Sequence, residues 1–158
     1  MSDILSLNVF NEDSPMSETA RVGQLGEELA CRFLMKNGCL LVAANFKVPI
    51  GRNSRGASVT GEIDIIALDA YDVLCFVEVK TRTSDAFAAP IAAVDLRKQR
   101  QITRTARMYR KIFNLHRINY RYDVVSIVLG KGGKPKIELY ANFWNESKFR
   151  KKFRADDF

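Results

Sequence analysis

The first clear pattern of hydrophobic and polar positions is a helical repeat that begins near Ser17. Apolar residues recur there at intervals of three and four, which places them on one side of an α-helix. The stripe consists of Val22, Leu25, Leu29 and Phe33. Ser17 is a suitable residue to cap the start, and Asn37-Gly38 is typical of a helix end, so the pattern predicts a helix between them.

Five shorter segments are apolar and rich in β-branched or aromatic residues, which predicts β-strands. They cover residues 40–48, 62–68, 73–81, 120–129 and 136–140. A short polar turn at 69–72 joins the second and third, which indicates an antiparallel hairpin. Residues 49–58 combine Pro, Gly, Asn and Ser, and this composition predicts a loop.

A second helix is predicted over residues 94–113, with an apolar side and many arginines elsewhere. The resulting order is helix, three strands, helix, two strands. This order indicates an α/β fold with one mixed central β-sheet flanked by helices. We expect a mobile arm at 1–16, a single domain at 17–143 and a basic tail at 144–158.

Composition limits the classes of protein that fit this chain. With 158 residues, 47% hydrophobic and 27% charged, it is the size and composition of one globular domain. No apolar run approaches the roughly 18 residues of a membrane span, and the start lacks signal-peptide features, so we expect a cytoplasmic protein without membrane contact. The three cysteines are interpreted as reduced core residues. A single histidine, His116, excludes zinc sites that need several imidazoles.

The charge balance indicates a polyanionic partner. Lys and Arg number 25 against 18 Asp and Glu, a net charge of +7, and every charged residue between Leu96 and Tyr122 is basic. A nucleic acid would fit such a segment. A solvated helix face in a basic protein is the alternative, and charge alone does not separate the two.

Acidic residues interrupt two of the predicted strands. Glu62 and Asp64 are two residues apart, as are Glu78 and Lys80, so each pair projects from one face of its strand. If the hairpin aligns the pairs, three carboxylates and one ammonium share a small region, where a divalent cation such as Mg²⁺ would relieve their repulsion. The alternative is an exposed edge strand with a surface ion pair between Glu78 and Lys80.

Five short motifs occur in a fixed order along the chain. They are Gly23-x-x-Gly26-Glu27-x-x-Ala30, the segment from Gly61 to Ala67, the segment from Phe76 to Arg82, Lys98-Gln99-Arg100, and Tyr122-Asp123-Val124-Val125. With this set, spanning about residues 19–143, the sequence resembles the YraN-like family of predicted endonucleases. That family is related to the archaeal Holliday-junction resolvases of the PD-(D/E)XK nuclease superfamily.

The resemblance implies a restriction-endonuclease-like core and a set of catalytic residues. Asp64 and Glu78 correspond to the metal-binding carboxylates, with the Val79 carbonyl as a further ligand of Mg²⁺ or Mn²⁺. Lys80 corresponds to the lysine of the motif, and Glu27 to the acid carried by the first helix. The neighbouring Glu28 is expected to be dispensable, and Glu62 is a family signature without an assigned role.

The implied activity is hydrolysis of phosphodiester bonds by a magnesium-dependent endonuclease, with branched or structured DNA as a candidate substrate. Basic residues expected to contact nucleic acid are Arg52, Arg55, Arg82, Lys98, Arg100 and Arg104. DNA is favoured over RNA, and pairing of two chains as a homodimer stays open. The stretch from Asn45 to Gly61 is longer than is usual in the family. Two alternatives also stay open: a nucleic-acid-binding module that keeps the fold but does not cut, and a protein that binds an acidic partner.

Overall fold

The computed structural model of the chain describes residues 15–84 and 94–149. Most of the predicted arm at 1–16, residues 85–93 and the end of the predicted tail lie outside these ranges. The elements are α1 (Glu18–Lys36), β1 (Leu40–Arg52), β2 (Ser58–Leu68), β3 (Leu74–Arg82), α2 (Leu96–Ile112), β4 (Tyr120–Val128), β5 (Lys136–Trp144) and a 3-10 helix (Glu146–Phe149). The predicted order of helices and strands is confirmed. No helix within the described ranges is long and apolar enough to cross a membrane.

Local side chains define where both helices begin. The Ser17 hydroxyl accepts a hydrogen bond from the Ala20 N–H at 3.2 Å, and the Asp95 carboxylate accepts one from the Lys98 N–H at 2.9 Å. These bonds satisfy N–H groups that have no partner within the helix. The second cap matters for the site because it sets the position of the first turn of α2.

The five strands form one mixed sheet in the order β1-β2-β3-β4-β5. β3 and β4 are parallel, whereas the other neighbouring strands are antiparallel. Parallel neighbours need a long crossover connection, which here contains α2. This arrangement confirms the predicted α/β class with a mixed sheet.

One helix covers each face of the sheet. α1 buries Ala30 and Leu34 in a core cluster that includes Val77 and Val125 of the central strands. α2 buries a second set against the opposite face, whose members include Phe76, Ile102, Ala106, Tyr109, Tyr122 and Trp144. Because apolar side chains are buried on both faces of the sheet, the central strands β3 and β4 are almost continuously buried.

The predicted loop at 49–58 is wrong, because most of it belongs to β1 and β2. β1 continues through Pro49 to Arg52, and only residues 53–57 connect it to β2. β1 lies at the edge of the sheet and pairs only with β2. Pro49 is tolerated there because a residue of an edge strand can lack a backbone N–H without losing a hydrogen bond to a second strand. Arg52 therefore ends a strand, and Arg55 lies at the tip of a hairpin.

The last strand is longer than its apolar pattern predicts. β5 runs to Trp144, one residue past the expected end of the domain at 143, and Asn142 adopts a φ of 52° where the pairing shifts. The Trp144 ring stacks on Tyr122 with centroids 4.8 Å apart. Beyond it, the Glu146 carboxylate accepts a hydrogen bond from the Tyr122 hydroxyl at 2.8 Å. The start of the predicted tail thus packs against the domain.

Candidate active site

Asp64 lies where β2 and β3 separate. The two strands pair from Leu68 and Leu74 only as far as Ile65 and Val77. Beyond that point the Asp64 carboxylate accepts a hydrogen bond from the Val79 N–H at 2.8 Å. This bond replaces the backbone pairing between β2 and β3, which ends at Ile65 and Val77. It holds Asp64 close to the backbone of β3, the strand that carries Glu78.

Glu78 is a buried carboxylate between two lysines. Its side chain is only 2% exposed, and one oxygen, Oε1, contacts Lys80 Nζ at 2.8 Å and Lys98 Nζ at 3.4 Å. Its other oxygen, Oε2, is buried and has no hydrogen-bond partner among the described residues. An ionised group is expensive to bury with an oxygen unsatisfied, so this atom is a candidate ligand for a cation.

The Asp64 carboxyl is held in an environment that disfavours its charge. Burial, and then the negative charge of Glu78, raise the pKa of Asp64 to about 7. The Val79 N–H and the charge of Lys98 act in the opposite direction, and the charge of Glu27 adds to the rise. A cation held between the two side chains would offset this repulsion, because positive charge favours the ionised form of Asp64.

A close helix–strand contact positions Glu27. A Cβ atom on Gly26 would lie 1.7 Å from the Thr81 hydroxyl oxygen, so only glycine allows α1 to approach β3 at this point. The residue after Gly26 is Glu27, which is half-buried, whereas Glu28 is exposed. The contact brings Glu27 close enough for its negative charge to raise the pKa of Asp64.

The acidic residues do not form a complete metal cage. Within the described parts of the chain, no three His, Cys, Asp or Glu side chains are close enough to hold an ion together. Glu62, which strand spacing placed beside Asp64, instead contacts Lys47 of β1 at 3.5 Å. Asp64 and Glu78 are thus a two-carboxylate arrangement. Mg²⁺ is often bound in this way, through one or two carboxylates with water and substrate phosphate as the remaining ligands.

The basic residues expected to contact nucleic acid divide into separate locations. Lys98 contacts Glu78 of the carboxylate pair, and Arg82 lines a groove beside the start of α1. Arg100 and Arg104 line a second groove, together with Arg97, between α2 and the β1–β2 hairpin. Arg52 and Arg55 lie at the end of that hairpin.

Sequence reasoning missed the contact of Lys98 with Glu78 and the positioning role of Arg104. Arg104 donates a hydrogen bond to the Ile50 carbonyl oxygen at 2.5 Å. Neither contact leaves a signal in the linear pattern, because both join residues brought together only by the packing of α2. The Asp95 cap is the one local sign, since it predicts that Lys98 lies in the first helical turn.

Comparison with known proteins places this geometry in a family. The model described as "Uncharacterised protein family UPF0102" matches residues 26–127, which include Glu27, Asp64, Glu78 and Lys80. The chain belongs to the UPF0102 family. The sequence prediction of a YraN-like protein is thereby confirmed at the level of the family.

Several UPF0102 proteins from distant bacteria are similar over most of their length. The one from Trichlorobacter lovleyi is 40% identical over 121 residues, covering 77% of this chain and 87% of the relative. The one from Dictyoglomus thermophilum is 39% identical over 113 residues, covering 72% and 86%. A Rhodococcus jostii member is 37% identical over 123 residues, covering 78% and 95%. The matched lengths extend over most of the domain.

Proposed function

We propose that this UPF0102 protein is a metal-dependent nuclease that hydrolyses phosphodiester bonds in nucleic acid. The observation that carries the proposal is the pair of half-buried Asp64 and buried Glu78 beside Lys80, at the point where β2 and β3 separate. Sheet order, the acid on β2, the Glu-x-Lys sequence on β3 and the acid on α1 are those expected of a restriction-endonuclease-like core. The basic grooves beside α1 and α2, which contain Arg82 and Arg97 respectively, also support the proposal.

The residues present fit a divalent cation. Glu78 has a buried oxygen without a partner, and burial together with Glu78 disfavours ionisation of Asp64. Both are hard oxygen donors, the type that Mg²⁺ and Mn²⁺ prefer, and the Val79 carbonyl is a third donor of the same type. Asp64, Glu78 and Val79 are therefore the proposed ligands.

The chemistry divides between the ion and the side chains around it. When bound, a divalent cation supplies Lewis-acid stabilisation of the charge that develops on the scissile phosphate. Lys80 donates hydrogen bonds from its ammonium group, orienting the attacking water and offsetting phosphate charge. Glu27, whose charge acts on Asp64, would hold a second ion or a water molecule beside the first. Lys98 and the arginines hold the backbone in place, which favours a shape of nucleic acid over a sequence.

The test is cleavage of a panel of nucleic acids with Mg²⁺ or Mn²⁺, including duplex, single-stranded, flap and four-way DNA and duplex RNA. We expect the wild-type protein to cut at least one DNA member, and chelation to stop the reaction. Asp64→Asn and Glu78→Gln should each lower the rate by at least about 100-fold, since each removes a ligand charge. Glu28→Gln is the matched control and should retain activity, because Glu28 is exposed.

Binding measured without metal separates catalysis from recognition. Asp64→Asn should bind nucleic acid as tightly as the wild type or slightly more tightly, because removing a carboxylate reduces repulsion of phosphate. Loss of binding together with loss of cleavage would indicate a folding defect, which a thermal melt of the same sample would reveal.

A second candidate function is a nucleic-acid-binding module that keeps the nuclease fold without cutting. The contact of Glu78 with both Lys80 and Lys98 favours it, because two ammonium groups already compensate this carboxylate. If the wild-type protein binds the panel but cuts no member with either metal, and Asp64→Asn behaves identically, this second function replaces the first.

A further inference from the structure

The β1–β2 hairpin separates from β3 and continues as a two-stranded ribbon. β1 and β2 stay paired as far as Arg52 and Ser58, whereas the pairing of β2 with β3 ends at Ile65 and Val77. Over residues 46–52 and 58–63, the described strands therefore pair only with each other. We call these residues and their 53–57 connection the ribbon.

α2 supports the ribbon along one side. Arg104 donates to the Ile50 carbonyl at 2.5 Å, and the Gln101 side-chain amide donates to the Thr60 carbonyl at 3.3 Å. A Cβ atom on Gly61 would lie 2.0 Å from the Thr105 hydroxyl oxygen, so the strand lies directly on the helix. An isolated two-stranded hairpin is only marginally stable in water, and these contacts supply the support that it needs.

The tip of the ribbon is ordered by its own side chains. The Asn53 carboxamide oxygen accepts hydrogen bonds from the backbone N–H groups of Arg55 and Ala57, both at 3.0 Å. Arg52 Nη1 donates to the Gly56 carbonyl oxygen at 2.7 Å. A tip held by these three side-chain hydrogen bonds loses little conformational entropy on binding a partner.

The ribbon is basic and carries small residues at its end. Residues 48–61 contain Arg52 and Arg55 but no acid and no aromatic residue. Gly51 to Ser58 are all exposed. Lys47, nearer the sheet, is paired with Glu62, so the unopposed charge is concentrated towards the tip.

We infer that the ribbon is an arm that enters the major groove of double-stranded DNA, with Arg55 leading. The major groove of B-form DNA is about 12 Å wide and admits a two-stranded β-ribbon. The corresponding groove of A-form RNA is too deep and narrow for side chains to read. Residues 48–61 of the ribbon also offer no aromatic surface on which unpaired bases could stack, so a single strand fits this end less well.

The groove next to the ribbon suits the phosphate backbone of the same duplex. It is lined by three guanidinium groups of α2, those of Arg97, Arg100 and Arg104, with Ile50 and Val59 of the ribbon on the other side. The inference rests on the proposed function, since it names the substrate class of that nuclease. It concerns binding alone and does not depend on whether the bond is cut.

The experiment measures binding in EDTA, so that neither metal nor cleavage affects the result. Fluorescence anisotropy would compare a labelled DNA duplex of about 30 base pairs with one of its strands and with an RNA duplex of the same sequence. Two tip variants, Arg55→Ala and Ser54→Glu, would be compared with Arg117→Ala. Arg117 is an exposed arginine in the connection before β4, at the opposite end of the sheet.

We expect the wild type to bind the DNA duplex most tightly. Arg55→Ala should weaken duplex binding by about 3- to 10-fold and reduce the salt slope by about 0.9, the value for one phosphate contact. Ser54→Glu should weaken it further, whereas Arg117→Ala should change it less than 2-fold. A duplex whose major groove is filled by glucosylated cytosines should bind poorly, and a minor-groove ligand such as netropsin should not compete.

Three results would overturn the inference: tip variants that bind duplex DNA as Arg117→Ala does, displacement by netropsin but not by major-groove modification, or equal affinity for the single strand or the RNA duplex. Failure of the proposed nuclease activity is a different result, because it is measured with metal and as cleaved product. A thermal melt of each variant separates misfolding from lost contact.

Discussion

At the scale of single residues, the carboxylates of Asp64 and Glu78 lie in different electrostatic surroundings. Glu78 is almost fully buried but faces the ammonium groups of Lys80 and Lys98, which compensate its charge. Asp64 has one backbone N–H from Val79 and the nearby negative charge of Glu78. Charge in a poorly solvated position must be paired, so Asp64 is the member of the pair whose ionisation costs the fold most.

Replacing Asp64 by Asn should therefore stabilise the metal-free protein at neutral pH. The pKa of Asp64 is raised from 3.8 to about 7 by burial and by Glu78, so the folded state retains a proton that the unfolded state has lost between those pH values. The wild type should lose stability as pH rises from about 4 to 7, while Asp64→Asn should not. An asparagine oxygen can still accept the Val79 N–H. We expect a melting temperature about 2–6 °C higher for the variant at pH 8 and no difference near pH 4.

Melting curves from pH 4 to pH 8, recorded in EDTA, would check this expectation, with Glu28→Gln as the control that should follow the wild type at every pH. A gain in stability that is the same at pH 4 and pH 8 would contradict the electrostatic explanation. Saturating Mn²⁺ should stabilise the wild type more than Asp64→Asn, because the ion compensates the carboxylate that the variant lacks.

At the scale of elements, the contact between α1 and β3 brings the helix acid to the strand that carries Glu78. Gly26 lies against Thr81 with no room for a Cβ atom, whereas a Cβ on Gly23, one turn earlier, would meet nothing within 4 Å. Both glycines weaken an isolated helix, by roughly 0.5–1 kcal/mol each relative to alanine. Only Gly26 has a packing reason for that cost.

Gly26→Ala should consequently destabilise the protein, although alanine favours helix. The added methyl group overlaps Thr81 and forces α1 away from β3, at a cost of about 1–3 kcal/mol or more. Gly23→Ala is the matched control and should be neutral or stabilising by up to about 1 kcal/mol. Urea denaturation of the two variants would measure the difference.

A second-site change tests whether Thr81 is the cause. Thr81→Gly in the Gly26→Ala background removes the Oγ1, Cβ and Cγ2 atoms that the new methyl group meets, so much of the lost stability should return. If Gly26→Ala proves as stable as Gly23→Ala, the close approach is not required, and another explanation is needed for the position of Glu27.

At the scale of the whole molecule, positive charge is distributed unevenly around α2. The net charge is +7, yet several cations are already used within the protein. Arg107 and Arg110 pair with Glu146, and Arg121 pairs with Asp69 and Asp123. Arg97 and Arg100 instead line the groove beside the ribbon, near the start of the helix.

Position should therefore matter more than total charge for binding of nucleic acid. Arg97→Glu with Arg100→Glu should weaken binding by at least about 10-fold and reduce the salt slope by about 2. Lys111→Glu with Arg117→Glu changes the net charge equally, near the other end of α2, and should have a much smaller effect. Titrations at several salt concentrations would measure both. Equal losses would show that general attraction, and not the groove, dominates binding.

The sequence by itself determined the parts of this protein that depend on neighbours along the chain. The Ser17 cap, the turn at 69–72 and the apolar repeats act over a few residues, so element order and the α/β class could be predicted from them. The candidate residues Glu27, Asp64, Glu78 and Lys80 were also found there, because charged residues stand out in buried strands and because their motifs occur in the family's order.

Only the tertiary structure decided how these residues meet. The composition of residues 49–52 predicts a loop, because Pro and Gly weaken a strand. Pairing with β2 outweighs this local preference for a loop. Lys98 reaches Glu78, and Glu62 pairs with Lys47, because the helix and the edge strand bring distant positions into contact. Such contacts depend on packing between elements. The pattern of residue types along the chain therefore does not predict which partner each charged side chain will contact.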